Sequence, residues 1–256
     1  MREMTLGDGF TVFGLSPDEA RFMYREIFED RCYLQKGVTL EDGDCVFDVG
    51  ANIGLATVFF HRERKNVRVF AFEPNPAAGE CLGANVKRHG VNARVFACGL
   101  LDAAGTQPFT RYPANSVSSG FHADAGQDRA TTQSYMINTG IAARGAEVFS
   151  AALFRKQETL DCAVRTLSEV IDEEGVERID LLKIDVERSE RQVLAGIREE
   201  HWPRIGQLVM EFTDEDGGLG EVQEMLRTRG FAVTAEQEPL LRGTNLYNLY
   251  AVRARG

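Results

Sequence analysis

Residues 46–54 have the sequence Val-Phe-Asp-Val-Gly-Ala-Asn-Ile-Gly, and this stretch decides the fold. An apolar strand reaches an acid, Asp48, and two glycines follow in a G-x-x-x-G spacing, Gly50 and Gly54. The apolar run 55–60 comes directly after them. This pattern predicts a strand, a tight turn and a helix. Because glycine lets a ligand approach the main chain closely, the turn is a candidate binding loop.

A second apolar strand, residues 67–72, ends in Glu73 and Pro74. The carboxyl ends of adjacent parallel strands border the crevice in which open α/β sheets bind their ligands. A carboxylate at the tip of the second strand can accept both hydroxyls of a ribose. We therefore predict a nucleoside site at this edge of the sheet, with Glu73 on the ribose.

The type of nucleoside follows from the motifs that the chain lacks and from the charge of Asp48. The sequence contains neither G-x-G-x-x-G nor G-x-x-x-x-G-K-[ST], the loops that bind dinucleotides and nucleoside triphosphates. Asp48 would put a negative charge beside a phosphate, but it suits a cationic ligand such as S-adenosylmethionine, with its amino group and sulfonium. The predicted cofactor-binding residues are Asp48, Gly50, Asn52, Ile53, Gly54, Glu73, Pro74 and Asp185, with Cys98 near the adenine.

The composition describes an acidic globular chain of 256 residues, enough for one large domain or two small ones. It has 29 Lys and Arg against 39 Asp and Glu, a net charge of −10, which argues against a nucleic-acid partner. No stretch has the length of a membrane span, and the N-terminus lacks an apolar signal segment. Five scattered cysteines without a C-x-x-C pair indicate reduced thiols, a cytoplasmic location and no zinc site.

Strand-like and helix-like segments alternate along the chain. The predicted strands are 45–49, 67–72, 93–98, 179–185, 207–212, 231–235 and 246–252. The predicted helices are 16–30, 54–64, 76–89, 166–174, 187–199 and 219–229. Such alternation predicts an α/β fold in which helices cover both faces of a parallel sheet. The glycines that bound the last two strands indicate a closing antiparallel pair.

Residues 111–157 interrupt this alternation. A segment of this length at the carboxyl edge of a sheet is expected to be functional or disordered. Because it contains aromatic residues such as Tyr112 and Phe121, we interpret it as a partly helical cover that shapes the acceptor pocket and excludes water. A peripheral decoration is the alternative. The predicted organisation is one domain over 1–256: an N-terminal helical segment (1–43), a core (44–110 and 158–256) and the inserted cover.

These motifs resemble the FkbM-type family of S-adenosylmethionine-dependent methyltransferases. Residues 48–54, 72–74 and 179–187 carry the resemblance, which extends over nearly the whole chain. It implies the Rossmann-like class I methyltransferase fold, with a seven-stranded, mostly parallel sheet. The branch that the chain resembles most contains O-methyltransferase domains of polyketide and nonribosomal peptide synthases. The resemblance therefore implies methyl transfer to a hydroxyl or carboxyl of such an intermediate, either free or held on an acyl carrier protein.

Two positions depart from the patterns of the family and of this branch. Arg188 follows Glu187 where the family more commonly has glycine, a departure that the branch shares. Thr213 stands where the branch commonly has histidine, so a histidine base is not assumed at that position. An acidic carrier protein that docks on this acidic chain would need a basic patch. The candidates for this patch are Arg21, Arg25 and Arg31, or Arg62, Arg64 and Lys65.

Catalysis on a hydroxyl needs a base within hydrogen-bond reach of the acceptor proton. Asp185 ends a strand and Glu187 is expected to open the next helix, so the two carboxylates can share a proton and raise one pKa. With Glu211 at the tip of a neighbouring strand, these are the predicted catalytic residues. Alternatively, Glu187 only stabilises a helix terminus.

Methyl transfer assisted by a magnesium ion is the alternative mechanism. Asp185, Glu187, Glu211 and Asp214 could hold the ion, which would lower the pKa of the acceptor. Their spacing does not require a metal, and none is predicted. Two other functional classes remain open: a nucleotide-dependent oxidoreductase on a Rossmann-like sheet, and a non-catalytic scaffold that binds S-adenosylmethionine.

Overall fold

A computed structural model describes residues 1–253. Its strands are β1 (Arg2–Thr5), β2 (Thr11–Gly14), β3 (Cys45–Val49), β4 (Arg68–Phe72), β5 (Ala93–Phe96), β6 (Gly99–Leu100), β7 (Gly105–Arg111), β8 (Glu158–Arg165), β9 (Leu181–Ile184), β10 (Gln207–Thr213), β11 (Ala232–Glu236) and β12 (Leu246–Val252). Its α-helices are α1 (Pro17–Tyr24), α2 (Leu55–Glu63), α3 (Pro76–His89), α4 (Ala125–Asn138), α5 (Ala143–Leu153), α6 (Leu167–Glu173), α7 (Glu190–Ala195) and α8 (Leu219–Thr228).

A seven-stranded sheet with the order β11-β12-β10-β9-β3-β4-β5 forms the centre of the fold. Strand β12 is antiparallel to both of its neighbours, whereas β10, β9, β3, β4 and β5 pair in parallel. The predicted α/β fold and its closing antiparallel strand are therefore confirmed. The carboxyl ends of the parallel strands lie at one edge, as the sequence predicts for a binding crevice.

Strand β3 is buried on both faces. Val46 packs in one apolar cluster with Leu55 and Phe59 of α2, while Phe47 and Val49 pack in a second cluster on the other side of the sheet. A parallel strand that is covered by two layers has an almost continuous apolar sequence, which explains why this segment was recognisable.

Helix α3 shows how local signals set the bounds of an element. It begins after Asn75, whose side chain accepts a hydrogen bond from the backbone N–H of Ala77, and Pro76 occupies its first position. It ends at Gly90, whose φ of 62° is in the left-handed region that glycine adopts readily. The predicted bounds 76–89 are those observed.

The N-terminal segment contains a β-hairpin that the sequence analysis did not predict. Strands β1 and β2 pair antiparallel, and Asn85 of α3 holds the hairpin by accepting from the N–H of Phe13 and donating to its carbonyl, at 2.7 and 2.8 Å. The predicted helix 16–30 is divided into α1 and a π-helical turn, Arg25–Glu29. The two strands are only four residues long, too short for a clear alternation.

The predicted third strand, 93–98, is too long. Strand β5 ends at Phe96, because the chain leaves the main sheet and Gly99–Leu100 pairs with β8. Strands β6, β8 and β7 form a second sheet of three strands. Helices α4 and α5 lie between β7 and β8, so the inserted cover is partly helical, as predicted.

The predicted helix 187–199 is wrong at both ends. Helix α7 spans only Glu190–Ala195, and residues 199–204 form a separate 3-10 helix. Glu187 and Arg188 have φ angles of 53° and 70°, which are left-handed and not helical. Glu187 therefore does not open a helix, and the alternative in which it stabilises a helix terminus loses its structural basis.

No helix within residues 1–253 is long and apolar enough to cross a bilayer. All five cysteines are free thiols, and four of them are buried. The last three residues of the predicted core, 254–256, lie outside the described residues.

Candidate active site

A cleft with about 510 Å³ of empty space opens at the carboxyl edge of β3, β4 and β9. Its walls come from the tips of these strands, from β6 and from the cover. The lining residues are Val49, Gly50, Asn52, Phe72, Glu73, Pro74, Gly99, Leu100, Phe109, Ser116, Val117, Ser119, Phe121, Asp185, Val186 and Glu187. Apolar side chains with a few polar groups among them, at the carboxyl edge of a parallel sheet, are typical of ligand sites.

The glycine loop after β3 is held against the end of β9. Gly50 has a φ of +79°, and a Cβ at this position would lie 1.8 Å from the carbonyl oxygen of Asp185. Glycine is therefore required here because two backbone segments approach each other closely. Gly54 has a φ of +86°, and its Cβ would lie 2.6 Å from Leu82 of α3. Neither position can carry a side chain without displacing its neighbours.

Asn52 and Ile53 complete this loop in different ways. Asn52 lines the cleft with a left-handed φ of 48°, and its side-chain oxygen accepts from the N–H of Ile53 at 2.7 Å. Ile53 is buried, and its carbonyl accepts from Asn85 at 2.8 Å. Of the predicted loop residues, Gly50 and Asn52 line the cleft, whereas Ile53 and Gly54 support the loop from the protein interior.

Glu73 is fixed at the tip of β4. Its two carboxylate oxygens accept from the backbone N–H groups of Asn75 and Asn52, at 2.7 and 2.8 Å. The side chain is buried, and this burial raises its pKa to about 7 although both N–H groups act in the opposite direction. Glu73 and Pro74 line the same part of the cleft.

Asp48 lies beneath the glycine loop and is fully buried. Its Oδ2 accepts from the hydroxyl of Thr57 at 2.5 Å, and its Oδ1 lies 3.1 Å from Nζ of Lys183. Lys183 also donates to the carbonyl of Gly50 at 2.7 Å and lies 3.5 Å from Oδ2 of Asp185. Lys183, to which the sequence analysis gave no role, thus connects the loop to two carboxylates.

Three acids come together beside the cleft. Asp185 and Glu187 line it, and Glu211 follows Met210, which pairs with Ile184 on the adjacent strand. Each of the three carboxylates can place one oxygen within 4.8 Å of the other two. The structure therefore brings the three predicted catalytic residues together, although Glu211 does not line the cleft.

The proximity of these acids raises the pKa of two of them. Burial, followed by the charges of Glu211 and Asp185, raises the pKa of Glu187 well above its ordinary range. Burial and the neighbouring Asp185 raise the pKa of Glu211 to about 8. Tyr33, from the N-terminal segment, donates its hydroxyl to Asp185 at 2.8 Å. The group can therefore hold a proton at neutral pH.

Part of the cleft wall is aromatic. Cys98 itself is buried and does not line the cleft, but Gly99 and Leu100 directly after it do. A Cβ at Gly99 would lie 2.4 Å from the ring of Phe121, which belongs to the cover. The rings of Phe109 and Phe121 meet edge to face with centroids 5.1 Å apart. The sequence analysis noted Phe121 but assigned it no contact.

Asp214 and Thr213 lie apart from this acidic group. Asp214 accepts from the N–H of Leu219 at 3.2 Å and so caps the start of α8. Thr213 is buried at the end of β10, opposite Leu246. No histidine of the described residues lines the cleft.

The strand order, the glycine loop and the acid at the tip of β4 define a Rossmann-like methyltransferase. A solved structure of a methyltransferase FkbM from Methylobacillus flagellatus KT shares the fold with a TM-score of 0.52, at 14% identity over 85% of this chain and 46% of that one. The sequence profile described as Methyltransferase FkbM domain matches residues 48–233. The chain belongs to the FkbM methyltransferase family, and it is a methyltransferase.

Two relatives show the extent of the similarity. The chain is 47% identical over 253 residues to the 31-O-demethyl-FK506 methyltransferase FkbM of Streptomyces tacrolimicus, covering 99% of this chain and 97% of the relative. It is 39% identical to the AMB antimetabolite synthetase AmbE of Pseudomonas aeruginosa, over 98% of this chain but 12% of that longer protein. The resemblance inferred from the motifs is thereby confirmed.

Proposed function

We propose that this chain is an S-adenosylmethionine-dependent O-methyltransferase that acts on a hydroxyl or carboxyl of a polyketide or peptide natural product. The observation that carries the proposal is the lining of one cleft by a carboxylate at the tip of β4, Glu73, by the aromatic ring of Phe121 and by the acids Asp185 and Glu187. The name of the relative from Streptomyces tacrolimicus, a methyltransferase of 31-O-demethyl-FK506, supports an oxygen acceptor.

The cleft fits S-adenosylmethionine in three parts. Glu73 would accept the ribose hydroxyls, and Pro74, Leu100 and Phe121 would flank the adenine, since aromatic and apolar side chains favour stacking. Asp185 would face the amino and sulfonium groups beside Gly50. Glycine at position 99 lets the ring of Phe121 lie against the backbone there, since a Cβ would lie 2.4 Å from that ring. The bound cofactor supplies a methyl group on a positively charged sulfur.

The residues of this chain align the acceptor and remove its proton. Holding the acceptor oxygen in line with the methyl group can supply much of the acceleration. Glu187 lines the cleft, where its carboxylate would accept the proton of the acceptor, and burial among acids raises its pKa above the ordinary range of a glutamate. Glu211 and Asp185 maintain that raised pKa through their negative charge. Lys183 offsets part of this charge at Asp185.

A magnesium-assisted reaction is the alternative at the same residues, because oxygens within 4.8 Å of one another are also a spacing that Mg²⁺ accepts. Such an ion would lower the pKa of the acceptor hydroxyl. We favour the protein base because a proton shared among the three carboxylates compensates their repulsion. Activity after exhaustive chelation separates the two mechanisms.

Two measurements test the proposed function. Calorimetry with S-adenosylmethionine and with NAD separates a methyltransferase from an oxidoreductase, and Glu73→Ala should abolish binding of the former. Transfer of a radiolabelled methyl group to 31-O-demethyl-FK506 and to carrier-linked acyl chains separates an enzyme from a scaffold. Binding without transfer to any of these acceptors would favour the scaffold, and binding of NAD alone would reject the proposal.

An acyl carrier protein is the proposed partner when the acceptor is tethered. Arg21, Arg25 and Arg31 of the predicted basic patch lie in ion pairs with Asp18, Asp30 and Glu63, which reduce their attraction for an acidic partner. The hypothesis therefore depends on the second candidate patch. Charge reversal of Arg64 and Lys65 should lower turnover of a carrier-bound acceptor and leave that of the free acceptor unchanged. A cytoplasmic location and the exclusion of nucleic acid stay predictions.

A further inference from the structure

A buried ion pair joins the cover to the loop that carries Glu187. Nη2 of Arg188 lies 2.6 Å from Oδ1 of Asp128 on α4, and both side chains are only 5% exposed. Nη1 of Arg188 lies 2.8 Å from Glu215, which follows β10. Three segments that are distant in sequence therefore meet at one guanidinium group. Removal of water from such a pair is costly unless further hydrogen bonds complete it.

The cover supplies these further bonds to Asp128. Its Oδ2 accepts from the hydroxyl of Tyr112 at 3.3 Å and from the N–H of Asp124 at 3.1 Å. Tyr112 is fully buried and lies just after β7, at the start of the cover. Asp128 is thus held by its own segment and presents its other oxygen to Arg188.

The loop on the other side of the pair has an uncommon backbone. Glu187 and Arg188 are consecutive left-handed residues with Cβ atoms, a conformation that surrounding structure must hold in place. The N–H of Arg188 donates to Glu190 at 2.8 Å. A Cβ on Gly120 of the cover would lie 2.9 Å from the carbonyl oxygen of Glu187. The cover therefore touches this loop both through its backbone and through the ion pair.

We propose that the Asp128–Arg188 ion pair is a latch through which the closed cover fixes the position of Glu187. Arg188 is a positioning residue, since its guanidinium is directed to Asp128 and Glu215. The effect of this latch on catalysis rests on the proposed function, in which Glu187 removes the acceptor proton. Without the latch, residues 186–190 are free to leave the left-handed conformation, and Glu187 moves away from the acceptor.

The latch acts on one part of the cleft. Glu73 and Asn52, which we assign to the cofactor, lie on β4 and on the loop after β3, and their hydrogen bonds do not involve Arg188. Loss of the latch should therefore reduce methyl transfer more than it weakens cofactor binding, which also depends on Phe121 of the cover and on Asp185. A residue with a merely structural role would alter stability, kcat and cofactor affinity together.

The test uses Asp128→Asn, Arg188→Gln and the double variant, with 31-O-demethyl-FK506 as acceptor. We expect kcat to fall about tenfold to a hundredfold, the loss that follows when a reacting group is displaced by roughly an ångström. The double variant should be no slower than the slower single variant, because both changes open the same latch. Asp172→Asn and Arg198→Gln, the same changes at an exposed ion pair, should leave kcat unchanged.

Amide hydrogen exchange makes the test independent of the acceptor. Exchange at residues 186–190 should become faster in Asp128→Asn and stay as in the wild type in Asp172→Asn. Arg188→Gln provides a second variant if Asp128→Asn does not fold, since it removes the guanidinium and leaves Asp128 with Tyr112 and the N–H of Asp124.

Unchanged exchange and unchanged kcat would overturn the proposal, and so would equal losses of kcat and of cofactor affinity. If the wild type methylates none of the acceptors, the proposed function fails, whereas the exchange measurement still decides whether the latch holds the loop.

Discussion

Asp48 and Lys183 lie directly opposite each other on the adjacent strands β3 and β9, and their charged atoms are 3.1 Å apart in a fully dehydrated environment. This pair occupies the position beneath the glycine loop where the sequence predicted an acid for the cofactor. The carboxylate of Asp48 therefore acts on the loop through Lys183, while Asp185 lines the cleft. The acid that lines the cleft, Asp185, thus lies on the strand next to that of Asp48, the acid that the sequence indicated.

Substitutions that neutralise one or the other member of this pair should lower the free energy of unfolding by different amounts. Lys183→Met leaves Asp48 buried without its positive partner, which costs about 3–5 kcal/mol of the free energy of unfolding. Asp48→Asn leaves Lys183 with the carbonyl of Gly50 and with Asp185, so the loss should be smaller. Urea denaturation of the two variants measures the difference, and equal losses would contradict this account of the site.

The same substitution, glycine to alanine, should have opposite effects in the glycine loop and in helix α3. Gly50→Ala puts a Cβ 1.8 Å from the carbonyl of Asp185 at a φ of +79°, so the loop must shift and cofactor affinity should fall strongly. Gly83 lies inside α3, and a Cβ there would meet nothing within 4 Å. Gly83→Ala should stabilise the protein by about 0.5–1 kcal/mol through helix propensity. Calorimetry and thermal denaturation of both variants check this; wild-type affinity in Gly50→Ala would refute it.

The predictability of the site depended on how far apart in sequence the interacting residues are. The glycine loop, Glu73 and the bounds of α3 were predictable because their signals are local: a strand that ends in an acid, a capping asparagine and a terminal glycine. The pairing of Asp48 with Lys183 was not, because strand order and register decide which residues face each other. The same limit applies to Asp128 and Arg188, which lie on separate elements.

The bend at Glu187 was missed for a related reason. Its left-handed backbone is held by the cover and by the side chain of Glu190, not by a glycine at the position itself. Propensity rules assign such a sequence to a helix, since acids favour the first helical turn. The glycine that the family more commonly has at the position of Arg188 is the available signal, because glycine favours a left-handed backbone.

Stability should decrease as the pH rises from 5 to 8. In the folded protein the pKa of Glu211 is raised to about 8, whereas the pKa of a glutamate in the unfolded chain is near its ordinary value of 4.5. The folded state therefore binds more protons between these values, so the stabilisation is complete below pH 4.5 and is lost as the pH passes through 8. One pKa unit corresponds to about 1.4 kcal/mol. A change of about 1 kcal/mol in the free energy of unfolding shifts Tm by roughly 2–4 °C in a domain of this size.

The variant Glu211→Gln tests this assignment, because the neutral amide removes one titrating group from the cluster. The Tm of the variant should depend less on pH than that of the wild type over the same range. A matched change at Glu147, an exposed residue of α5, should leave the pH dependence as it is. If Glu211→Gln has the same slope as the wild type, Glu211 is not the group that loses its proton.

Removal of metal ions provides the last prediction. Asp185, Glu187 and Glu211 can place their oxygens within 4.8 Å of one another, and a shared proton compensates the repulsion among them. We therefore expect methyl transfer to survive exhaustive treatment with a chelator and not to increase when magnesium is added. Glu187→Gln should lower kcat by about 10²–10⁴-fold, the usual contribution of a general base. Loss of activity on chelation, restored by magnesium, would instead assign the three acids to a cation, and Glu187→Gln would then lower the affinity for that cation.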